Sequence, residues 1–119
     1  MFSERLQQVA DRIEGTRALA LIARDGIPVE WIDPHGKNLD LELLAAELMS
    51  QMRAISNNHE ELEVGKVRHL AVATDQMTLM VTSITEEYYL MLVLGPQSNY
   101  GKARFELRRA LLLFEDDLL

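Results

Sequence analysis

Residues Thr16–Asp33 read TRALALIARDGIPVEWID, two apolar runs on either side of Asp25-Gly26. Asp-Gly between such runs is a strong short-range hairpin signal, because glycine takes the positive φ that a tight turn needs. In the first run both alternating sets are apolar: Ala18, Ala20 and Ile22, and Leu19, Leu21 and Ala23. A strand covered on both faces reads this way, so the first strand is predicted to be central. The second run carries Pro28, which cannot donate to a ladder, so this strand is predicted to lie at an edge.

Upstream of the hairpin, Phe2, Leu6, Val9, Ala10 and Ile13 recur at helical spacing, with Ser3 as a predicted cap and Gly15 as a stop. Downstream, "DPHGKN" is a turn, and Asn38 is the predicted cap of a helix from 39 to about 57 that Asn57-Asn58 ends. A polar connection follows, then three strand-like runs, "VRHLAVAT", "MTLMVTSI" and "YYLMLVLG". Their short connections favour antiparallel neighbours. The last run is apolar on both faces and is predicted to be central. "GPQSN" then leads into a helix with a stripe of Tyr100, Ala103, Leu107, Ala110, Leu111, Phe114 and Leu118. The reading is helix-strand-strand-helix-strand-strand-strand-helix. That predicts an α+β fold, a five-stranded antiparallel sheet with helices on both faces, in one domain over residues 1–119.

Bulk properties exclude several classes. The 119 residues carry a net charge of −7, against the basic surface that nucleic acid or an anionic membrane requires. There is no cysteine, hence no disulfide, thiolate metal site or thiol nucleophile. The N-terminal "MFSERLQQVADRIE" lacks an apolar core and no run reaches the length of a membrane span, so a cytoplasmic protein is expected.

"GPQSNYGKAR" at residues 95–104 stands where a phosphate-binding loop would sit. A P-loop needs four residues between its glycines and a Ser or Thr after the lysine. Here five residues separate Gly95 from Gly101, and Ala103 follows Lys102. The stretch reads instead as a strand exit, with Ser98 capping the last helix, Tyr100 in the core, and Gly101 allowing close packing of helix on strand. His35, His59 and His69 are scattered, and pairs such as Glu60-Glu61, Glu86-Glu87 and Asp116-Asp117 read as solvated loops and ends. No constellation suits acid–base, covalent or metal chemistry. No cofactor, metal or small-molecule substrate is expected, and the chain does not read as an enzyme.

The middle helix carries more. At about 100° per residue, Leu41, Leu44, Ala45, Leu48, Met49, Met52 and Ile55 span roughly 140°. Leu39, Leu43 and Ala46 form a second patch near Glu42, Ser50 and Arg53. Two readings are open: a wide core stripe with scattered surface leucines, or a helix that covers its sheet and also contacts another protein. Contiguous exposed apolar surface favours the second.

On these residues a family resemblance rests. "GTRALALIARDGIPVEWI" resembles the first hairpin of roadblock/dynein light-chain domains. "SNYGKARFELRRALLLFEDDL" is similar to the closing helix of their bacterial MglB-like members. The resemblance covers nearly the whole chain and implies the roadblock (profilin-like) fold. It also implies a homodimer, in which two sheets join through the "VRHLAVAT" strand and the middle helices lie side by side. Leu41, Ala45, Met49, Met52, Arg68, Leu70 and Val72 would form that contact. It further implies a small Ras-like GTPase as partner, bound through Leu39, Glu42, Leu43, Ala46, Ser50 and Arg53. Arg53 is the candidate for an arginine finger. A salt-bridged surface arginine is the plainer reading, and the resemblance favours an activator that repositions the GTPase's own residues.

Three hypotheses follow. The chain is a homodimeric regulator or activator of a Ras-like GTPase, a scaffold dimer that leaves nucleotide turnover unchanged, or a small-molecule enzyme using the Gly95–Lys102 loop. The first two need the same surface, and the third has the least support in the residues.

Overall fold

A computed structural model describes residues 2–34, 36, 39–57, 63, 65–96 and 98–118. Its elements are α1 (Phe2–Asp11), β1 (Thr16–Ala23), β2 (Pro28–Ile32), α2 (Leu41–Asn57), β3 (His69–Ala73), β4 (Thr78–Ser83), β5 (Tyr88–Leu94) and α3 (Tyr100–Leu118). The five strands form one antiparallel sheet in the order β2-β1-β5-β4-β3. This is the α+β arrangement expected from the sequence. The two runs apolar on both faces, β1 and β5, are neighbours at the centre, and the Pro28 strand is an edge.

Alternation along the central strands divides the core into two layers. Leu19, Leu21, Met80, Leu90, Leu92 and Leu94 meet Leu6, Val9 and Ala10 of α1 and Ala103, Leu107, Ala110 and Phe114 of α3. On the other face Ala18, Ala20, Ile22, Val81, Met91 and Val93 meet Leu41, Ala45, Leu48, Met49 and Met52 of α2. Phe2 and Phe114 stack with ring centroids 6.4 Å apart, joining α1 to α3.

The hairpin turn forms as Asp25-Gly26 requires. Gly26 has φ +90°, its N–H donates to the Ala23 carbonyl at 2.8 Å, and the Ile27 N–H donates to Asp25 Oδ1 at 3.0 Å. The register between β1 and β2 shifts after Leu21, leaving Val29 as an extra residue. Proline and a bulge together blunt this edge against strand addition. At the other edge, among the described residues, β3 pairs only with β4.

Five local expectations are corrected. α1 begins at Phe2, so Ser3 lies within its first turn. Asp40 caps α2, its Oδ1 accepting from the Leu43 N–H at 3.1 Å; Asn38 and Asn58 lie outside the described residues. Asn99, not Ser98, caps α3, with Oδ1 accepting from the Lys102 N–H at 3.0 Å. Tyr100 is 39% exposed rather than core, and Gly101 is exposed; a Cβ there would meet only Asn99 Oδ1, at 3.6 Å. Close packing therefore does not account for Gly101.

Candidate functional site

α2 turns two different sides outward and inward. Leu41, Ala45, Leu48, Met49 and Met52 are buried against the chain's own sheet. Four of these, Leu41, Ala45, Met49 and Met52, were expected at a contact between two copies. The structure uses them inside one chain, because the small Ala18 and Ala20 beneath α2 leave room for its larger side chains. Of that expected set, Arg68, Leu70 and Val72 stand on or beside the open edge strand β3, with Val72 37% exposed.

The residues expected to meet a partner do share a side. Glu42, Leu43, Ala46, Ser50 and Arg53 are exposed along the outer surface of α2, and Leu39 is half-buried just ahead of it. Leu43 is 58% exposed. Gly26 brings the β1–β2 turn up against this side; a Cβ there would lie 3.5 Å from Ala46 Cα. At the far end Arg53 Nη1 donates to the Arg24 carbonyl at 3.5 Å, a long bond that aims the guanidinium at its own hairpin.

One residue of this surface went unmarked in the sequence. Trp31, on β2, is 52% exposed and lines a cavity of about 180 Å³ with Pro28, Leu39, Asp40, Leu41 and Glu42. The cavity is below the roughly 300–1,000 Å³ of small-molecule sites, so it suits a side chain of a protein better than a free ligand. Tryptophan is the residue most enriched among interface anchors. Ile27 and Val29 extend the apolar surface along the same hairpin, at 62% and 45% exposure. The available signal was the Pro28–Ile32 alternation on an edge strand, which shows that Trp31 differs in side from Ile32 without showing which side is open.

The Gly95–Lys102 loop adjoins a cavity of about 450 Å³ lined by Ile13, Glu14, Gly15, Pro96, Ser98, Asn99, Lys102 and Ala103. Two of its polar side chains, Ser98 and Asn99, are already engaged. Ser98 Oγ donates to the Gly95 carbonyl at 2.9 Å, and Asn99 Oδ1 is the helix cap. A phosphate would meet Glu14 and compete with both bonds.

His69 on β3 is half-buried, and its Nε2 has no hydrogen-bond partner among the described residues. Burial, and secondarily the Arg104 guanidinium, hold its pKa below the ordinary histidine value. His35, His59 and Glu60-Glu61 lie outside the described residues. Among the described residues no three His, Cys, Asp or Glu are grouped to hold a metal ion, and no helix is long and apolar enough to cross a membrane.

Comparison with known proteins agrees with this fold. MglB, a gliding protein of Thermus thermophilus, superimposes with a TM-score of 0.85 at 22% identity, over 96% of this chain and 85% of that one. An MglB structure with a tetrameric arrangement gives 0.86 at 22% identity, with the same coverage. MglC of Myxococcus xanthus gives 0.71 at 28% identity over 98% of each chain. No curated protein matches the sequence. Residues 2–94, from α1 to the end of β5, match the Roadblock/LC7 domain family. The chain belongs to the Roadblock/LC7 domain family.

Proposed function

We propose that this chain is a homodimeric regulator of a small Ras-like GTPase, acting through binding rather than through catalytic groups of its own. The observation that carries the reading is the outer side of α2. There Leu39, which lines a cavity with Trp31, is followed along the outer side by Leu43 and Ala46, with Glu42 and Arg53 alongside. An apolar strip with an aromatic anchor and a charged rim is the anatomy of a protein contact. The open edge of β3, with Arg68, Leu70 and Val72, supports joining of two copies, since an unpaired edge needs a strand to cover it.

The direction of Arg53 favours a shaped surface over an arginine finger. Its guanidinium would first have to leave the Arg24 carbonyl. A surface that only holds its partner is also what a scaffold dimer needs, so the same observation supports the second reading.

The test is GTP hydrolysis by purified Ras-like GTPases with and without this protein, alongside affinity for their GTP-analogue complexes. Regulation is expected as tight binding with altered turnover. Tight binding with unchanged turnover leaves the scaffold, and no binding to any of them refutes both GTPase readings. Light scattering is expected to give twice the chain mass at micromolar concentration; the monomer mass would refute the dimer.

A further inference from the structure

On the opposite face of the sheet, α3 buries Ala103, Leu107, Ala110 and Phe114, leaving a second stripe outward. At about 100° per residue, Gly101, Phe105, Arg108 and Leu112 fall within roughly 60° of one another. Phe105 is 60% exposed and Leu112 is 69% exposed, the largest value among the exposed large apolar side chains. With Arg104, Arg108, Arg109 and Gly101 they line one shallow apolar depression of about 450 Å³. Two exposed apolar side chains on one stripe in a single groove call for a cover.

The charges around the stripe identify that cover. The first half of α3 presents Lys102, Arg104, Arg108 and Arg109, and its one acid, Glu106, is buried and paired with Arg109 at 3.2 Å. The last turns present Glu115 and Asp116 on the same outward side. Arg104, Arg108, Glu115 and Asp116 make no ion pair among the described residues, whereas Asp117 is held by Arg5 at 3.2 Å. The basic half and the acidic end thus sit on one stripe, separated along the helix by Leu112.

A helix of this pattern is complementary to its own antiparallel copy. We infer that α3 is a self-association surface, on which a second copy of this chain packs its α3 antiparallel about a two-fold axis near Arg108. Phe105 then meets Leu112 of the second copy, and Leu112 meets its Phe105. A two-fold axis of this kind places each flank of the stripe against the same flank of the other copy. Arg104 shares a flank with Glu115 and Lys102 shares the other with Asp116, so each flank matches opposite charges twice, while Arg108 and Arg109 lie beside the axis opposite their own counterparts. An anionic membrane is the weaker candidate, since the chain is −7 overall and Glu115 and Asp116 would face the lipid. The surface lies on the sheet face away from α2, so it neither uses nor blocks the residues of the proposed GTPase contact.

The test uses the full chain in sedimentation velocity over a concentration series. Phe105→Glu or Leu112→Glu is expected to raise the dissociation constant of this contact by about tenfold or more, seen at concentrations above the micromolar range as a fall from twice the dimer mass to the dimer mass, the dimer itself persisting. Arg104→Glu and Glu115→Arg are each expected to weaken it by about threefold to tenfold, each change counting twice across the axis. The double reversal is expected to restore association. Because the chain has no cysteine, Arg108→Cys gives an independent reading: near the axis it is expected to oxidise to a covalent dimer, while Glu14→Cys does not. Assembly mass unaffected by Phe105→Glu and Leu112→Glu overturns the proposal. So does a double reversal no better than its singles, or failure of Arg108→Cys to cross-link above the control. Binding to phosphatidylserine vesicles that Arg104→Glu abolishes, without self-association, would assign the face to lipid and overturn it equally.

Discussion

Replacing Gly15 by alanine tests the junction that joins the central hairpin to α3. Gly15 has φ +89°, outside the region that L side chains favour, so alanine there costs about 1–2 kcal/mol in backbone strain. A Cβ at this position would also come within 2.1 Å of Ser98 Oγ and 3.1 Å of Ser98 Cβ. The hydroxyl must therefore swing away and give up its bond to the Gly95 carbonyl, a loss of about 1 kcal/mol. The expected total for Gly15→Ala is about 2–3 kcal/mol. Ser98→Gly alone is expected to cost about 1 kcal/mol for the same bond. The double variant has no Ser98 side chain left to displace, so it should be no less stable than Gly15→Ala. That is a coupling of about 1 kcal/mol in its favour. Urea unfolding followed by circular dichroism measures all four proteins, at one fixed protein concentration because self-association adds to stability. Strict additivity would refute Ser98 as the obstacle. A Gly15→Ala cost under about 0.5 kcal/mol would refute the strain argument as well.

Three further outcomes are expected. Fully covering a leucine is worth about 1.5–3 kcal/mol. Leu43, 58% exposed, should therefore weaken GTPase binding by roughly 5- to 30-fold as Leu43→Ala, with Trp31→Ala at least as large and the dimer mass unchanged; unaltered affinity in both would move the contact off this surface. The unfolded chain binds a proton at His69 more readily than the folded one, so stability should fall as pH drops through the ordinary histidine value of 6.5 and level off below the lowered folded value. His69→Gln should flatten that slope in urea titrations between pH 7.5 and 5, roughly the span a histidine covers, and an unchanged slope would assign it elsewhere. Asn99→Ala should lower stability by about 1 kcal/mol through loss of the α3 cap, and Ser98→Asn in that background should not recover it; recovery would return the cap to Ser98.

The layout of the sheet was legible because burial on both faces writes itself into a strand. Both alternating sets of β1 and β5 are apolar, and such a strand has no place except the centre. Pro28 placed the opposite edge by removing a donor. Caps were less legible: Asp, Asn and Ser cluster within two residues of each helix start, and their capping strengths differ little. Hence Asp40 and Asn99 hold the positions that Asn38 and Ser98 were expected to fill. Tyr100 falls beside the core stripe by angle alone, but side chains tilt toward the helix N-terminus, which carries a first-turn residue off the end of the covered surface. The stripe of α2 was visible as a stripe, but apolar periodicity is the same whether a helix covers its own sheet or a second copy. In the structure Leu41, Ala45, Met49 and Met52 are buried against the chain's own sheet. Trp31 stayed hidden because period-two alternation separates the two sides of β2 without showing how far α2 covers one of them.

The pairing of β1 with β5 also fixes the order in which the molecule can be built. The two strands at the middle of the sheet come from opposite ends of the chain, while every other pairing joins neighbours in sequence. Hairpins close locally and early, whereas a distant pairing must first close a long loop. During synthesis the β1–β2 hairpin therefore waits, apolar on both sides of β1, until β5 has left the ribosome. Pulse-labelled hydrogen exchange on refolding protein should protect β3–β4 amides before the β1–β5 ladder, and the reverse order would exclude this sequence of events. The most buried strand of the finished domain is the one most exposed to unwanted partners while the domain is being made.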